Sequence, residues 1–371
     1  MKILWIGPYR DTTGWAQASL SYILAADLVG LNIVCRPIKL NDNKPDLPER
    51  IKELESKSTD NIDICIQHCL PHHFIYDNRI KRNICLFVLE TEGLGTSNWL
   101  QHIKLMPEIW SPSIWQKEIL QKYTDKPIHI VPHAFDPIKF ALNYEPFPFP
   151  HLSGKCVFIW NSEFSQRKNL QALLRAFHTV FDVNSESELI VKTSMLGHSA
   201  EQSMEKVKEF CNEIRKGLKT FHNPLLFKPE TIITQRLEEQ DMYRLYKSAH
   251  FIVNISHGEG WNIPLCEAMG LGIIPITTAY GPVGEYCNES NSLIVQHHLD
   301  RPFACFDTLQ ELYTGIDTWS SPNVVDLGNK LKEAYNLWRN NNLTIKQNAC
   351  KKILDKCSYQ QVGNKIKEIL Q

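Results

Sequence analysis

Short apolar, β-branched runs alternate with longer runs of helical spacing along this sequence. The alternation breaks once, at Tyr144-Glu145-Pro146-Phe147-Pro148-Phe149-Pro150. Strand, helix, strand in that order imposes parallel sheets with helices on both faces. The pattern predicts strands over Ile3–Ile6, Asn32–Cys35, Ile62–Ile66, Asn83–Val88, Ile109–Ser111 and Ile128–Val131, with helices over Trp15–Leu28 and Ile114–Tyr123. The three prolines of the break favour extended backbone with few hydrogen bonds, so residues 141–155 are expected to be a linker. Beyond it the pattern predicts strands over Cys156–Trp160, Glu188–Thr193, Leu225–Phe227, Phe251–Ile255, Ile273–Thr277 and, as the last, Ser292–Val295. Helices are predicted over Leu170–Val180, Met204–Lys216, Leu237–Ser248 and Pro264–Met269. The expected architecture is α/β, with two Rossmann-like domains, 1–140 and 156–355, facing across an inter-domain cleft lined by strand C-termini.

Composition narrows the function. The 371 residues suffice for two domains with their own cores. Lys plus Arg is 40 and Asp plus Glu is 41, a net charge of −1, which lacks the electrostatic footprint of a dedicated nucleic-acid binder. No apolar stretch approaches the ~18–20 residues of a membrane span. The N-terminal apolar run closes at Gly7-Pro8, too short for a signal peptide. The 11 scattered cysteines then suggest free thiols in a reducing cytoplasm. Cys65, His68, Cys69, His72 and His73 crowd together, but no second ligand pair at zinc spacing accompanies them. Cys65 sits inside an apolar strand and reads as a core thiol.

The most informative segment is Phe251–Thr278, FIVNISHGEGWNIPLCEAMGLGIIPITT. A buried strand runs into the loop Ser256-His257-Gly258-Glu259-Gly260-Trp261-Asn262, and Pro264 then suits the first turn of a helix. Glu259 and Glu267 bracket seven residues, and the N–H groups of the helix start point into the same space. Carboxylates accept hydrogen bonds from vicinal hydroxyls, and amides face phosphate oxygens. That pairing suits a sugar joined to a nucleoside diphosphate.

Here the sequence resembles a known family, the retaining glycosyltransferases of the two-Rossmann (GT-B) fold, group 1, whose signature is Glu, seven residues, Glu. Val131-Pro132-His133-Ala134-Phe135-Asp136 with Phe140 matches the family's end of the first domain. Phe164-Ser165-Gln166-Arg167-Lys168-Asn169, with Leu173, Leu174, Ala176 and Phe177, matches a second motif. Leu245-Tyr246 with Ala249 and Gly281-Pro282-Val283-Gly284-Glu285 fall where the family has them. The resemblance implies a UDP- or GDP-sugar donor as substrate, no cofactor, and no metal of the Asp-x-Asp type. It implies that Glu259 contacts the donor sugar and Glu267 the ribose. Gly260 and the amides around Trp261, Asn262, Leu265 and Cys266 would hold sugar and diphosphate. Lys168, with Arg167 as second cation, would offset the diphosphate charge. Many relatives carry Arg five positions before this lysine, where this chain has Glu163.

Thr234, Gln235 and Arg236 are candidates to flank the base, and Gly14 would let phosphate or acceptor approach a helix start. Where many relatives have a His near the reacting carbon, this chain has Leu89-Glu90-Thr91-Glu92; Glu90 or Glu92 would replace it. His133 falls near the cleft in the family pattern and is given no catalytic role. The family places the helix around Tyr359–Leu370, within 356–371, back on the first domain, with Val362, Ile366, Ile369 and Leu370 as its apolar face. The acceptor class implied is a hydroxyl of a glycan or glycolipid, handled in the cytoplasm or at a membrane surface by peripheral contact. Three other readings stay open: a nucleotide-sugar epimerase, a donor-binding scaffold without transfer, and a transferase acting on modified DNA. The near-neutral charge argues against the last.

Overall fold

The computed structural model describes residues 1–39, 46–94, 98–306 and 312–371. The chain divides into two compact units. Unit one is Met1–Ala141, Gln310–Asp317 and Leu354–Gln371; unit two is Leu142–Leu309 and Thr318–Ile353.

Unit one holds β1 (Lys2–Gly7), α1 (Gly14–Leu28), β2 (Asn32–Pro37), α2 (Glu49–Ser56), β3 (Ile64–His68), β4 (Arg82–Leu86), α3 (Trp99–Leu105), β5 (Glu108–Ser111), α4 (Ile114–Leu120), β6 (Ile128–Ile130) and α5 (Pro137–Ala141). The six strands form one parallel sheet in the order β2-β1-β3-β4-β5-β6. Its central strands β3, β4 and β5 are buried on both faces, as a parallel sheet covered by helices requires. Trp5 stacks on Tyr22 at 5.7 Å and meets Trp110 edge-on at 6.4 Å. Cys65 and Cys69 are core residues here, and all 11 cysteines are free thiols.

Unit two holds β7 (Cys156–Asn161), α6 (Leu170–Val180), β8 (Ser187–Lys192), α7 (Ala200–Gly217), β9 (Thr231–Ile233), α8 (Glu239–Lys247), β10 (Phe251–Asn254), α9 (Ile263–Gly270), β11 (Ile274–Thr277), β12 (Leu293–Ile294), β13 (His297–Asp300), β14 (Trp319–Pro322), α10 (Val324–Arg339) and α11 (Thr344–Lys351). Its parallel sheet runs β12-β11-β10-β7-β8-β9, and β13 pairs antiparallel with β14. Two Rossmann-like α/β units are therefore present. Among the described residues no helix is long and apolar enough to cross a membrane.

After α12 (Ile353–Cys357) the chain ends in α13 (Tyr359–Leu370), which packs on α1 within unit one. Ser358 caps it by accepting from Gln361 N. Val362, Ile366 and Leu370 are buried, worth ~1.5–3 kcal/mol each; Ile369 is only half-buried. The approach is close because Gly363 lies against the Ala25 carbonyl, where a Cβ would collide. Arg82 fastens the far end, donating to Glu108 at 2.6 Å and to the Ile369 carbonyl at 2.9 Å.

Two predicted elements differ. Leu225–Phe227 is no strand: Pro224–Leu226 is a 3₁₀ turn, capped by the Asn223 side chain accepting from Leu225 N. The strand comes later, as β9. Nor is the strand near Ser292–Val295 the last, since the β13–β14 hairpin follows. The proline-rich stretch packs onto α8. Phe147 N–H reaches the Arg244 carbonyl at 3.2 Å and Ser248 Oγ at 2.8 Å, and the Arg244 guanidinium lies 5.2 Å over the Phe147 ring. With prolines on both sides of it, this is the one N–H that residues 146–148 can donate.

Candidate active site

The glycine-bracketed loop leaves the C-terminal end of β10 and enters α9, so unit two gathers its polar groups at a strand end. Asn262 has φ 76°, the left-handed region, and caps α9: its Oδ1 accepts from Leu265 N at 3.0 Å. Cys266 N–H is taken by the Asn262 carbonyl at 3.3 Å. The amides of Leu265 and Cys266, expected to face the donor, are thus bound within the helix start. The short polar side chain of Asn makes this backbone tolerable and bonds locally at the same time.

Glu259 is 7% exposed. Lys168 Nζ donates to both its oxygens, at 2.8 and 2.7 Å, and Arg167 Nη1 stands 3.6 Å away. Ser256 Oγ donates to Oε1 at 2.5 Å and Asn254 Nδ2 at 3.3 Å. Burial alone would push the Glu259 carboxyl up; the charges of Lys168 and Arg167, with these hydrogen bonds, hold it below the usual value. It is a buried carboxylate held in its ionised form.

The two cations arrive on a 3₁₀ turn, Gln166–Lys168, that runs into α6. Asn169, at φ 57°, caps that helix through Ala172 N and donates to the Ile255 carbonyl at 3.3 Å. Arg167 also donates to the Gly258 carbonyl at 2.7 Å, while His257 N–H donates to the Arg167 carbonyl at 2.8 Å. The loop is therefore laced to the turn at both side chain and backbone. On its other side His257 stacks on Trp319 at 4.5 Å, and its Nδ1 bonds the Ser320 carbonyl at 2.6 Å. Burial pushes His257 below the usual histidine value, so Nδ1–H is the donor. Tyr286 donates to the Trp261 carbonyl beneath the loop.

Glu267 is also 7% exposed, on α9. Its carboxylate adds to burial in raising Tyr243 and Tyr246 on α8. Glu259, Lys168, Arg167, Gly260, Trp261, Asn262 and Glu267 thus come from segments of unit two that touch. Arg236 is exposed between β9 and α8, and Thr234 is buried with its hydroxyl on the Ala200 carbonyl at 2.8 Å. Gly14 and Glu90 belong to unit one. Gly14 opens α1 with no atom within 4 Å of where a Cβ would stand; Glu90 is half-buried and accepts from the Tyr313 hydroxyl. Sequence reasoning misses Asn254 and Ser256. Their signal is two polar residues at the end of an apolar strand.

Two parallel-sheet α/β units with polar loops at strand ends define the GT-B class of fold. HepE from Anabaena, solved with UDP-glucose, superposes with a TM-score of 0.65 at 12% identity, covering 100% of this chain and 99% of that one. Sucrose-phosphate synthase from Thermosynechococcus elongatus gives 0.67 at 13%, covering 100% and 98%. Residues 155–314 match the family described as glycosyl transferases group 1. Over those residues, less than half of the chain, the sequence is similar to group 1 glycosyl transferases. A putative glycosyltransferase 41 of Sulfolobus islandicus filamentous virus (isolate Iceland/Hveragerdi) is 46% identical over 43 residues, which is 12% of this chain and 13% of that protein.

Proposed function

We propose that this glycosyltransferase moves a sugar from a nucleoside-diphosphate sugar to a hydroxyl of a glycan or glycolipid, with retention of the anomeric configuration. The observation that carries this reading is Glu259, ionised and buried beside Lys168 and Arg167 at the start of α9. Glu259 would accept from hydroxyls of the donor sugar, and Glu267 from the ribose. The bond from the anomeric carbon to the β-phosphate oxygen breaks, and the acceptor oxygen bonds the same face of that carbon. The acceptor proton passes to the departing β-phosphate. Lys168 and Arg167 stabilise the charge developing on that phosphate, a contribution largest in the transition state.

UDP-glucose in the HepE structure favours a nucleotide-sugar donor over other phosphorylated ligands. A thermal-shift screen of UDP, GDP, ADP and their sugars tests the reading. A ligand at 100 times its Kd stabilises by about 2.7 kcal/mol, readily detected; no shift with any of them contradicts it. Incubating the stabilising sugar nucleotide without acceptor separates transfer from epimerisation, which needs no acceptor.

A further inference from the structure

Three other buried or half-buried cations of unit two have carboxylate partners. Lys228 lies 3.5 Å from Glu188, Arg215 pairs with Glu230, and Lys168 holds Glu259. Lys192 is different. It closes β8 and is 8% exposed, yet among the described residues no carboxylate or hydrogen-bond acceptor partners its ammonium. Burial pushes that ammonium below the usual lysine value, and burial is the only cause. An ammonium largely withdrawn from water without a partner is costly, so its retention at a strand C-terminus, where ligands of α/β sheets bind, points to an acceptor brought from outside.

The sheet register says which part of the donor meets it. Lys192 is in register with Asn161 on β7 and Ile233 on β9, so their side chains leave the same face of the sheet. Asn161 Nδ2 reaches the Tyr246 hydroxyl of α8 at 2.6 Å. Tyr246 in turn feels the Glu267 carboxylate. Lys192 therefore projects from the face that carries Glu267, one strand beyond Asn161 towards the β9 edge. Lys168 and Arg167 stand elsewhere, with Glu259 beyond β10. If Glu267 takes the ribose, the group next in line is the base.

We propose that Lys192 selects the nucleoside of the donor, its ammonium donating to the keto oxygen of a uracil- or guanine-type base. This rests on the nucleotide-sugar reading above. An ammonium only donates. Cytosine and adenine carry an amino donor where uracil and guanine carry the keto oxygen, so they would leave both donors unpaired.

Calorimetry with UDP, GDP, CDP and ADP on the wild type and Lys192→Met tests this, together with Tm of the ligand-free proteins. The wild type should bind UDP or GDP at least about tenfold more tightly than CDP and ADP. Lys192→Met should bring the four within about threefold by weakening only the keto nucleotides. Its ligand-free Tm should be unchanged or higher, because an idle buried charge has been removed. A preference that survives the substitution overturns the proposal. So does equal weakening of all four, which marks a phosphate contact, and so does a lowered Tm, which marks a structural lysine. Failure of the wild type to bind any of the four overturns the proposal together with the donor reading. Binding without the predicted preference overturns Lys192 alone.

Discussion

Lys168 Nζ bonds both carboxylate oxygens of Glu259, joining residues 91 positions apart. Neither group is well placed alone: each would be a charge taken out of water. Together, with Ser256 and Asn254 filling the remaining lone pairs of Oε1, they form a satisfied buried cluster. Under the proposed function, a donor entering this site would add sugar hydroxyls to Glu259 and phosphate oxygens to Lys168.

Breaking this pair from the lysine side should be costly. Lys168→Met leaves a buried carboxylate with one cation 3.6 Å away, and we expect a loss of about 3 kcal/mol. Urea unfolding checks it. A loss under about 1 kcal/mol, the range of a solvent-exposed pair, would mean water already solvates Glu259.

Acid should weaken unit two through its depressed carboxylates. Glu259 lies below its usual value, and so does Glu230, where burial is outweighed by the His178 contact at 2.6 Å and by Arg215. A depressed carboxylate contributes fully above its unfolded value of about 4.3 and loses that contribution as pH falls through the folded value. Stability should therefore fall steeply below about pH 4.3. Glu230→Gln should be less stable at neutral pH and lose less on acidification. Chemical denaturation from neutral pH down to about pH 3, below the unfolded carboxylate value, measures both.

Gly363→Ala should loosen α13 from α1, because the added Cβ meets backbone at Ala25. Overpacking of this kind costs about 1–3 kcal/mol. Gly217→Ala is the control: it ends α7 with nothing within 4 Å, and should be neutral or slightly stabilising. Equal Tm values for the two variants would contradict the close docking.

Asn262 combines a cap with a left-handed backbone. Asn262→Ala should lose about 1 kcal/mol for the cap and roughly a further 1–2 kcal/mol for the left-handed φ. Asn262→Gly keeps the backbone at ease and should cost only a few tenths of a kcal/mol. Thermal unfolding gives the order; alanine equal to glycine would refute the left-handed backbone at this position.

What sequence can show follows from what is local. Helix α6 is readable end to end, because Asn169 caps it and its apolar residues recur at helical spacing. Helix α13 is readable for the same reason, though the partial exposure of Ile369 is not. Leu225-Leu226-Phe227 misleads because an apolar triplet resembles a strand, while Asn223 and Pro224 turn the chain there; β9 is only three residues long and carries no period. In the site, the motif exposes Glu259, Glu267 and the lysine. The closing of the Leu265 and Cys266 amides by Asn262 depends on one residue's conformation, and the isolation of Lys192 depends on what surrounds it in space. Neither leaves a trace in spacing.

Under the proposed function, Glu259 holds the donor sugar and Glu267 the nucleoside. Transfer rate and nucleotide affinity of Glu259→Gln measure this most directly. A charge-assisted hydrogen bond is roughly twice as strong as a neutral one. Its loss in the transition state should lower kcat about a hundredfold, about 2.7 kcal/mol, while UDP or GDP without sugar binds within about twofold of wild type. Glu267→Gln should show the reverse emphasis and weaken the bare nucleotide. Transfer by Glu259→Gln at the wild-type rate would contradict the account and leave the Lys168–Glu259 pair as a purely structural cluster.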